Sequence, residues 1–254
     1  SPFSVTSVLM KESAIMARKY GVHLHTHLAE TQDEEEFCLQ KLGYRPVPYM
    51  QSVDWVGNDV WFAHSVHVSQ HEVELFAREG CGVAHCPSSN MRLASGIAPL
   101  RQYLKAGVKV GLGVDGSASN DGSSMLAEVR QAMLLARLKA GLDGASLSST
   151  GEEILTARQA LEVATRGGAA VLGRKDIGSL ETCKCADFIG IKMDHLEYAG
   201  AQHDPLAAIV FCQTRQVDMN YVHGKALVKD GILTGLDLRS HVEKHNKAAR
   251  RLLG

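Results

Sequence analysis

Val22-His23-Leu24-His25-Thr26-His27-Leu28-Ala29-Glu30 alternates histidine with other residues and then turns polar. Alternation at period two is the mark of a strand, on which residues two apart share a face, so His23, His25 and His27 line up. His27 falls at the carboxyl end of this strand and Glu30 opens the loop beyond it. Three later stretches have the same form. Val60-Trp61-Phe62-Ala63 runs into His64, Gly82 to Cys86 runs into Pro87, and Lys109 to Val114 runs into Asp115. Helical repeats separate them. Residues 5–20 carry Val8, Leu9, Ile15 and Met16 before a stop at Gly21, and Glu30 to Leu42 has an acidic first turn and Gly43 at its end. Ser69-Gln70-His71-Glu72 is a capping box for a helix that stops at Gly80. Ile97 to Ala106 is closed by Gly107, and Gly122 to Ala140 sets Leu126, Val129, Met133 and Ala136 on one face. Strands separated by helices pair in parallel through βαβ crossovers, and the carboxyl ends of parallel strands are where α/β folds place their sites. Four such units predict half of a (β/α)8 barrel, which typically takes ~250 residues.

Beyond that point the texture changes. Gly141 to Gly151, with Ser146, Ser148 and Ser149, reads as an exposed loop, and Thr156 to Leu172 as a helix. Ile177 to Met193 and Val217 to Leu233 alternate and are rich in Val and Ile, with Lys229-Asp230-Gly231 as a turn. Leu236 to Leu253 is a terminal helix with basic residues near its end, which suits the helix dipole. The expected organisation is half a barrel over residues 1–175, part of a small β-sandwich with an inserted helix over 176–235, and a terminal helix over 236–254.

Composition narrows the function classes. The chain has 254 residues, 27 basic and 28 acidic, and a formal charge of −1. That balance lacks the basic surplus of a nucleic-acid binder or a protein of anionic membranes. Hydrophobic residues at 45% and charged residues at 22% fit a folded globular chain rather than a disordered one. No apolar run approaches the ~20 residues of a membrane span. Ser1-Pro2-Phe3 shows neither an initiator Met nor a signal-peptide core, so the chain is expected to be the interior and end of a longer cytoplasmic protein. The six cysteines have no disulfide-scaffold spacing and are expected as thiols. Twelve histidines, several clustered, mark where chemistry should be sought.

A His and a Glu at a strand mouth, as in His27 and Glu30, can hold a metal and move protons for it. His23 and His25 read as packing residues. A lone histidine is usually structural; the position of His64 at the same mouth marks it as functional, whereas His67 reads as a loop residue. Gly111-Leu112-Gly113-Val114-Asp115-Gly116 matches the dinucleotide fingerprint in form, but a polar segment from Ser117 to Asp121 precedes the next helix, and Asp115 would repel a pyrophosphate. As strand-then-Asp, it offers a carboxylate suited to metal binding or general base work. His85-Cys86-Pro87-Ser88-Ser89-Asn90-Met91-Arg92 reads as a strand running into a polar loop whose amide and guanidinium groups suit a polar heterocycle. Cys183-x-Cys185 has no partner pair for a zinc site, and Glu34-Glu35-Glu36 reads as a solvated helix face. Nucleophile elbows, phosphate-binding loops and the cytidine-deaminase zinc signature are absent from the sequence.

His27-Leu28-Ala29-Glu30, Ala63-His64, His85 to Asn90 and Gly113-Val114-Asp115-Gly116, in that order at strand ends, resemble the amidohydrolase superfamily. More narrowly, they are similar to its mononuclear-metal deaminase and triazine-hydrolase branch. Ala164 to Ala169, Ile177 to Glu181 and Ala186-Asp187-Phe188 resemble the final helix and returning β-sandwich of that superfamily. Within the branch, His25 to Thr31, Met91 to Gly96 and Gly116 to Asp121 are most similar to 8-oxoguanine deaminases. The resemblance implies one divalent metal, zinc or alternatively iron, with His27 and Asp115 as ligands. Asp115 would also accept a proton from the attacking water, Glu30 would shuttle it to a ring nitrogen and on to the leaving amine, and His64 would orient or polarise the attacked centre. Asn90, Arg92, Ser117 and Asn120 are candidate substrate contacts. The implied reaction is hydrolytic deamination of 8-oxoguanine to urate and ammonia. A guanine or adenosine-type deaminase and a triazine hydrolase are the alternatives within the superfamily, and a non-catalytic scaffold is the alternative outside it. The implied partner is a small heterocycle, with a homo-oligomer allowed. Two ligands leave a metal under-coordinated. The H-x-H pair that this superfamily carries on its first strand is therefore expected upstream, and the 254-residue chain by itself is expected to be inactive.

Overall fold

The structure is a computed structural model that describes residues 1–145, 154–212, 214 and 216–253. Helix α1 (Ser7–Tyr20) starts where the Thr6 side chain accepts the Leu9 N–H, and ends where Gly21 turns left-handed. Strand β1 (Leu24–Leu28) follows, then α2 (Gln32–Phe37), which runs on through a π-helical turn at Cys38–Leu42. A short helix that the periodicity did not predict, α3 (Pro46–Ser52), leads to β2 (Val60–His64). Helix α4 (Gln70–Glu79) carries the capping box expected of Ser69 and Glu72. Strand β3 (Gly82–His85) runs into α5 (Pro87–Arg92). The segment read as a polar loop is thus a helical turn, and Pro87 at its first position needs no N–H partner. Helix α6 (Leu100–Ala106), β4 (Lys109–Leu112) and the long α7 (Met125–Leu142) complete this part.

The four strands form one parallel sheet in the order β1-β2-β3-β4. Register runs Leu24 to Val60, Trp61 to Gly82 and Gly82 to Lys109, so the four carboxyl ends emerge side by side. One face of β1, through Leu24, Thr26 and Leu28, is buried, while His25 and His27 on the other face are exposed. The main core lies between sheet and helices, around Leu28, Met50, Phe62, Phe76, Tyr103, Val110 and Met133. No described helix is long and apolar enough to cross a membrane.

The helix expected over 156–172 is three pieces: α8 (Ala157–Glu162), a π-helical turn at Val163–Gly167, and α9 (Gly168–Val171). This segment presses on β4 so closely that a Cβ on Gly167 would lie 2.0 Å from the Val110 carbonyl oxygen. Of the loop expected at Gly141 to Gly151, residues 146–151 lie outside the described residues.

The second sheet is antiparallel, in the order β5-β6-β7-β8. Its strands are β5 (Phe188–Gly190), β6 (Met219–Val222), β7 (Lys225–Lys229) and β8 (Ile232–Leu233). Only Phe188–Gly190 of the stretch Ile177 to Met193 is strand; the rest is turns, tied by Arg174 to Asp176 and by Lys184 to Glu181. Helix α10 (Pro205–Phe211) lies between β5 and β6 in the chain but packs on α7 and α8, with Arg137 over the Phe211 ring. Helix α11 (Leu238–Leu253) ends the described chain.

Candidate active site

The loops leaving β1, β2 and β4 all turn through left-handed backbone. Ala29 has φ 50°, His64 φ 68°, Ser65 φ 47° and Asp115 φ 61°. Non-glycine residues in that region carry strain of ~1–3 kcal/mol each and persist only where the surroundings hold them. The Ser65 N–H bonds the Leu28 carbonyl at 3.0 Å, and the Val66 and His67 N–H groups both reach the Ala29 carbonyl at 2.9 Å. The first two loops are thereby tied together, and their side chains are thrown toward one point.

At that point His27 Nε2 lies 3.6 Å from Asp115 Oδ1, and His64 Nε2 lies 3.6 Å from Glu30 Oε2 and 3.9 Å from Asp115 Oδ2. His27, His64 and Asp115 offer ligand atoms that all lie within 4.8 Å of one another. Two ligands on a tetrahedral zinc with bonds of ~2.0–2.2 Å stand roughly 3.4 Å apart, close to the His27–Asp115 spacing. His64 is fully buried, and its Nε2 has no hydrogen-bond partner although it faces two carboxylates. Its Nδ1 lies 2.7 Å from Asn90 Oδ1. An amide oxygen can only accept, so Nδ1 donates, and in the neutral ring Nε2 presents its lone pair to the site. An orphaned imidazole nitrogen beside a His–Asp pair at this spacing fits a divalent cation.

Asp115 is held low. Partial burial pushes its carboxyl up, but hydrogen bonds from the Ser89 and Ser119 hydroxyls, then from the Gly116 N–H, and the neighbouring His64 outweigh that and bring it to about 2. The group is therefore an anion across the physiological range. Glu34 accepts the Glu30 N–H at 2.9 Å and is itself buried. Burial raises its pKa against the lowering effect of N–H groups from Glu30 and Ala29. Of the acidic run only Glu36 is exposed as a solvated face would be: Glu34 braces the backbone of Glu30, and Glu35 pairs with Arg45, which also grips Glu72.

The four candidate substrate contacts divide. Ser117 is exposed in the loop after Asp115, and Arg92 is half exposed and paired with Asp121. Asn90 and Asn120 are buried, with Asn90 bonded to His64 and Asn120 donating to Glu128 Oε1 at 2.9 Å. These two side chains support the site from behind rather than lining its mouth. His23 and His25 stay outside the cluster; His25 stacks on Trp61 with ring centroids 3.6 Å apart. His67 bonds the Ser95 carbonyl at 2.7 Å, as suits a loop residue. Cys183 and Cys185 join no metal-competent group among the described residues. A cavity of about 680 Å³ between α6 and α7, lined in part by Leu104, Ala136 and Leu155, contains none of the site residues. Sequence reading took Glu34 for part of a solvated face and passed over Glu128. The available signal for Glu128 was its place in the stripe with Ala132, Ala136 and Ala140, all buried on α7.

A parallel sheet whose strand ends gather two histidines, an aspartate and a glutamate defines a class of site, one at which a divalent cation could be held at the carboxyl ends of an α/β sheet. The pattern that defines the Amidohydrolase family matches residues 1–227, and the chain belongs to that family. It is 48% identical over 253 residues to 8-oxoguanine deaminase of Pseudomonas aeruginosa PAO1, covering 100% of this chain and 54% of that protein. It is 35% identical over 258 residues to isoxanthopterin deaminase from an unknown prokaryotic organism, covering 99% of this chain and 53% of that protein. Among solved structures, an adenosine deaminase from Xanthomonas campestris with bound zinc superposes with a TM-score of 0.91 at 29% identity, covering 98% of this chain and 55% of that one. Atrazine chlorohydrolase from Arthrobacter aurescens TC1, complexed with zinc, gives 0.88 at 33% identity, covering 95% and 52%. The chain thus spans about half the length of the curated relatives it matches.

Proposed function

We propose that this chain is the C-terminal part of a metal-dependent aminohydrolase that converts 8-oxoguanine and water to urate and ammonia. Residues 1–175 are read as the second half of a (β/α)8 barrel, 176–235 as part of a β-sandwich, and 236–254 as a terminal helix. One observation carries the reading: Glu30, His64 and Asp115 meet at one mouth with His27, the His27–Asp115 spacing being 3.6 Å. The 48% identity to an 8-oxoguanine deaminase supports the choice of substrate.

His27 and Asp115 would hold the cation, zinc or alternatively iron, with further ligands from an upstream H-x-H pair. Bound there, a divalent ion supplies Lewis acidity and acidifies water, so that a nucleophile exists at neutral pH. The side chains of this chain do the rest. Asp115, already an anion, accepts the proton that the attacking water gives up. The water oxygen bonds to the amine-bearing carbon of the ring amidine, and the C=N electron pair moves to the ring nitrogen. Glu30 passes the proton that Asp115 took up to that nitrogen. As the tetrahedral centre collapses, the added hydroxyl becomes the ring carbonyl and gives up the second proton of the water, which Glu30 carries to the amine as its C–N bond breaks, so that ammonia leaves. His64, held through Nδ1 by Asn90, orients the attacked centre with Nε2.

The test is ammonia release by the full-length, zinc-loaded protein offered 8-oxoguanine, guanine, adenosine and a hydroxytriazine side by side, with Glu30→Gln as control. Release from 8-oxoguanine alone, lost in the control, is expected. Release from another member of the panel would keep the mechanism and discard the substrate. Zinc-loaded protein that releases no ammonia from any of them overturns the deaminase reading.

A further inference from the structure

We propose that Ser89 and Ser119 are positioning residues that restrict Asp115 to a single ligand oxygen, and that buried Glu128 pins the two loops that carry them. The proposal rests on the reading of His27 and Asp115 as metal ligands.

Both hydroxyls go to the same atom. Ser89 Oγ donates to Asp115 Oδ2 at 2.6 Å, and Ser119 Oγ donates to it at 2.9 Å. Ser119 Oγ also lies 3.1 Å from the Gly116 carbonyl, but its one proton goes to the charged acceptor, where the bond is about twice as strong. Two hydrogen bonds fill the two lone pairs of Oδ2. The other oxygen, Oδ1, is the one that faces His27 Nε2, at 3.6 Å. With the Gly116 N–H as a further donor, the carboxylate is held in rotation, both hydroxyls on Oδ2 and Oδ1 turned toward His27, where a cation would sit.

The two serines reach Asp115 from different loops. Ser89 sits on α5, beyond the end of β3, and Ser119 in the turn beyond β4. Helix α7 ties these loops together. Glu128 Oε2 accepts the Ser88 N–H at 3.0 Å, and Oε1 accepts the Asn120 amide at 2.9 Å. Ser88 and Asn120 are the chain neighbours of Ser89 and Ser119, so one buried carboxylate sets the position of both hydroxyls. Among the described residues, both Glu128 oxygens are bonded to these loop groups, which accounts for an acidic side chain in an otherwise apolar stripe.

The experiment measures zinc affinity by chelator competition in the full-length protein, for Ser119→Ala, Ser89→Ala, the double variant, Glu128→Gln and Ser119→Thr. Groups that orient a metal ligand typically contribute 10–100-fold in metal affinity or activity, so the double variant is expected to bind zinc ~10–100-fold more weakly. The single variants and Glu128→Gln are expected to fall between it and the wild type. Ser119→Thr, which restores a hydroxyl, should recover most of the affinity. Turnover at saturating zinc should lose kcat with KM little changed. Should Ser89→Ala fail to fold, Ser119→Ala decides the matter, because that residue sits in a turn. Wild-type protein that binds zinc, with serine variants that bind it equally well, overturns this proposal and leaves the metal-site reading standing. Wild-type protein that binds no zinc overturns both.

Discussion

Glu30 is placed by backbone as much as by side chain. Its N–H is anchored on buried Glu34, and the residue before it is left-handed, so its carboxylate is delivered to within 3.6 Å of His64. Glu30→Gln keeps the shape and removes the proton exchange. Turnover is expected to fall by ~10²–10⁴ while zinc content per chain stays at the wild-type level, measured by ammonia release alongside metal analysis. His85 makes a different prediction. Burial, with a smaller contribution from nearby His64, lowers its pKa to about 4 from an ordinary 6.5. Between those values the unfolded chain binds a proton that the folded chain refuses, so stability rises with pH from about 4 to about 6.5 and is flat with respect to this group outside that window. The lowering corresponds to about 3 kcal/mol. Urea unfolding across this range should lose about that much pH dependence in His85→Leu, since the buried Nδ1 has no partner to forfeit. An unchanged slope would mean that the ring is solvated before the chain unfolds. The same residue scale shows what sequence can carry. His27, Glu30, His64 and Asp115 were legible because a strand followed by a polar residue fixes which end of the sheet that residue occupies. Asn90 and Asn120, expected as substrate contacts, bond His64 and Glu128 instead, a difference the sequence does not carry because an amide has the same donors and acceptors whether it faces a ligand or the protein.

At the scale of elements, the four parallel strands and most of their helices were readable from period and punctuation. Gly21, Gly43, Gly80 and Gly107 all sit in left-handed stops, and the capping box at Ser69 formed as the spacing implied. What failed had identifiable causes. Helix α5 was hidden because Pro87-Ser88-Ser89-Asn90 has weak helical propensity and is held instead by Glu128 and by its packing on α7. Most of Ile177 to Met193 is turn because local ion pairs and side-chain bonds satisfy it without a ladder. The split of the 156–172 helix reflects Gly167 and Gly168, which trade helical regularity for close approach to β4. Gly167→Ala must displace backbone, since its Cβ would meet the Val110 carbonyl oxygen at 2.0 Å. A destabilisation of ~3 kcal/mol is expected, at the upper end of overpacking costs. Gly168→Ala has nothing within 4 Å of its new methyl and should be neutral or stabilise by up to ~1 kcal/mol through helix propensity. Denaturant melts of the two variants, one residue apart, separate steric approach from backbone entropy; equal effects would contradict the packing described.

At the scale of the whole molecule, the parallel sheet ends, among the described residues, in an open strand at β1, whose exposed face shows His25 and His27. Helix α1 beside it exposes Val8, Leu9, Ile15, Met16 and Tyr20. Unpaired strand edges and apolar faces of this kind call for a cover. The relatives are nearly twice as long, the chain matching 54% of the 8-oxoguanine deaminase and 53% of the isoxanthopterin deaminase. The proposed roles point the same way: with His64 kept for the substrate, His27 and Asp115 give a cation two protein ligands where a catalytic zinc commonly takes three and a water. On the proposed reading, activity needs ligands from an upstream segment, and the 254-residue chain on its own is expected to lack it. Expressed alone and given zinc, it is expected to release no ammonia above the Glu30→Gln background. Its zinc affinity should fall below that of the full-length protein by ~10²-fold or more, as loss of first-sphere ligands exceeds the 10–100-fold effect of outer ones. Adding the upstream polypeptide in trans should restore part of both if the two pieces associate along β1 and α1. Charged substitutions at Ile15 and Met16 should then block the restoration without touching the site. Turnover by the short chain alone, at a rate comparable to the full-length protein, would show that His64 or solvent completes the coordination and that the open edge is no obstacle to catalysis.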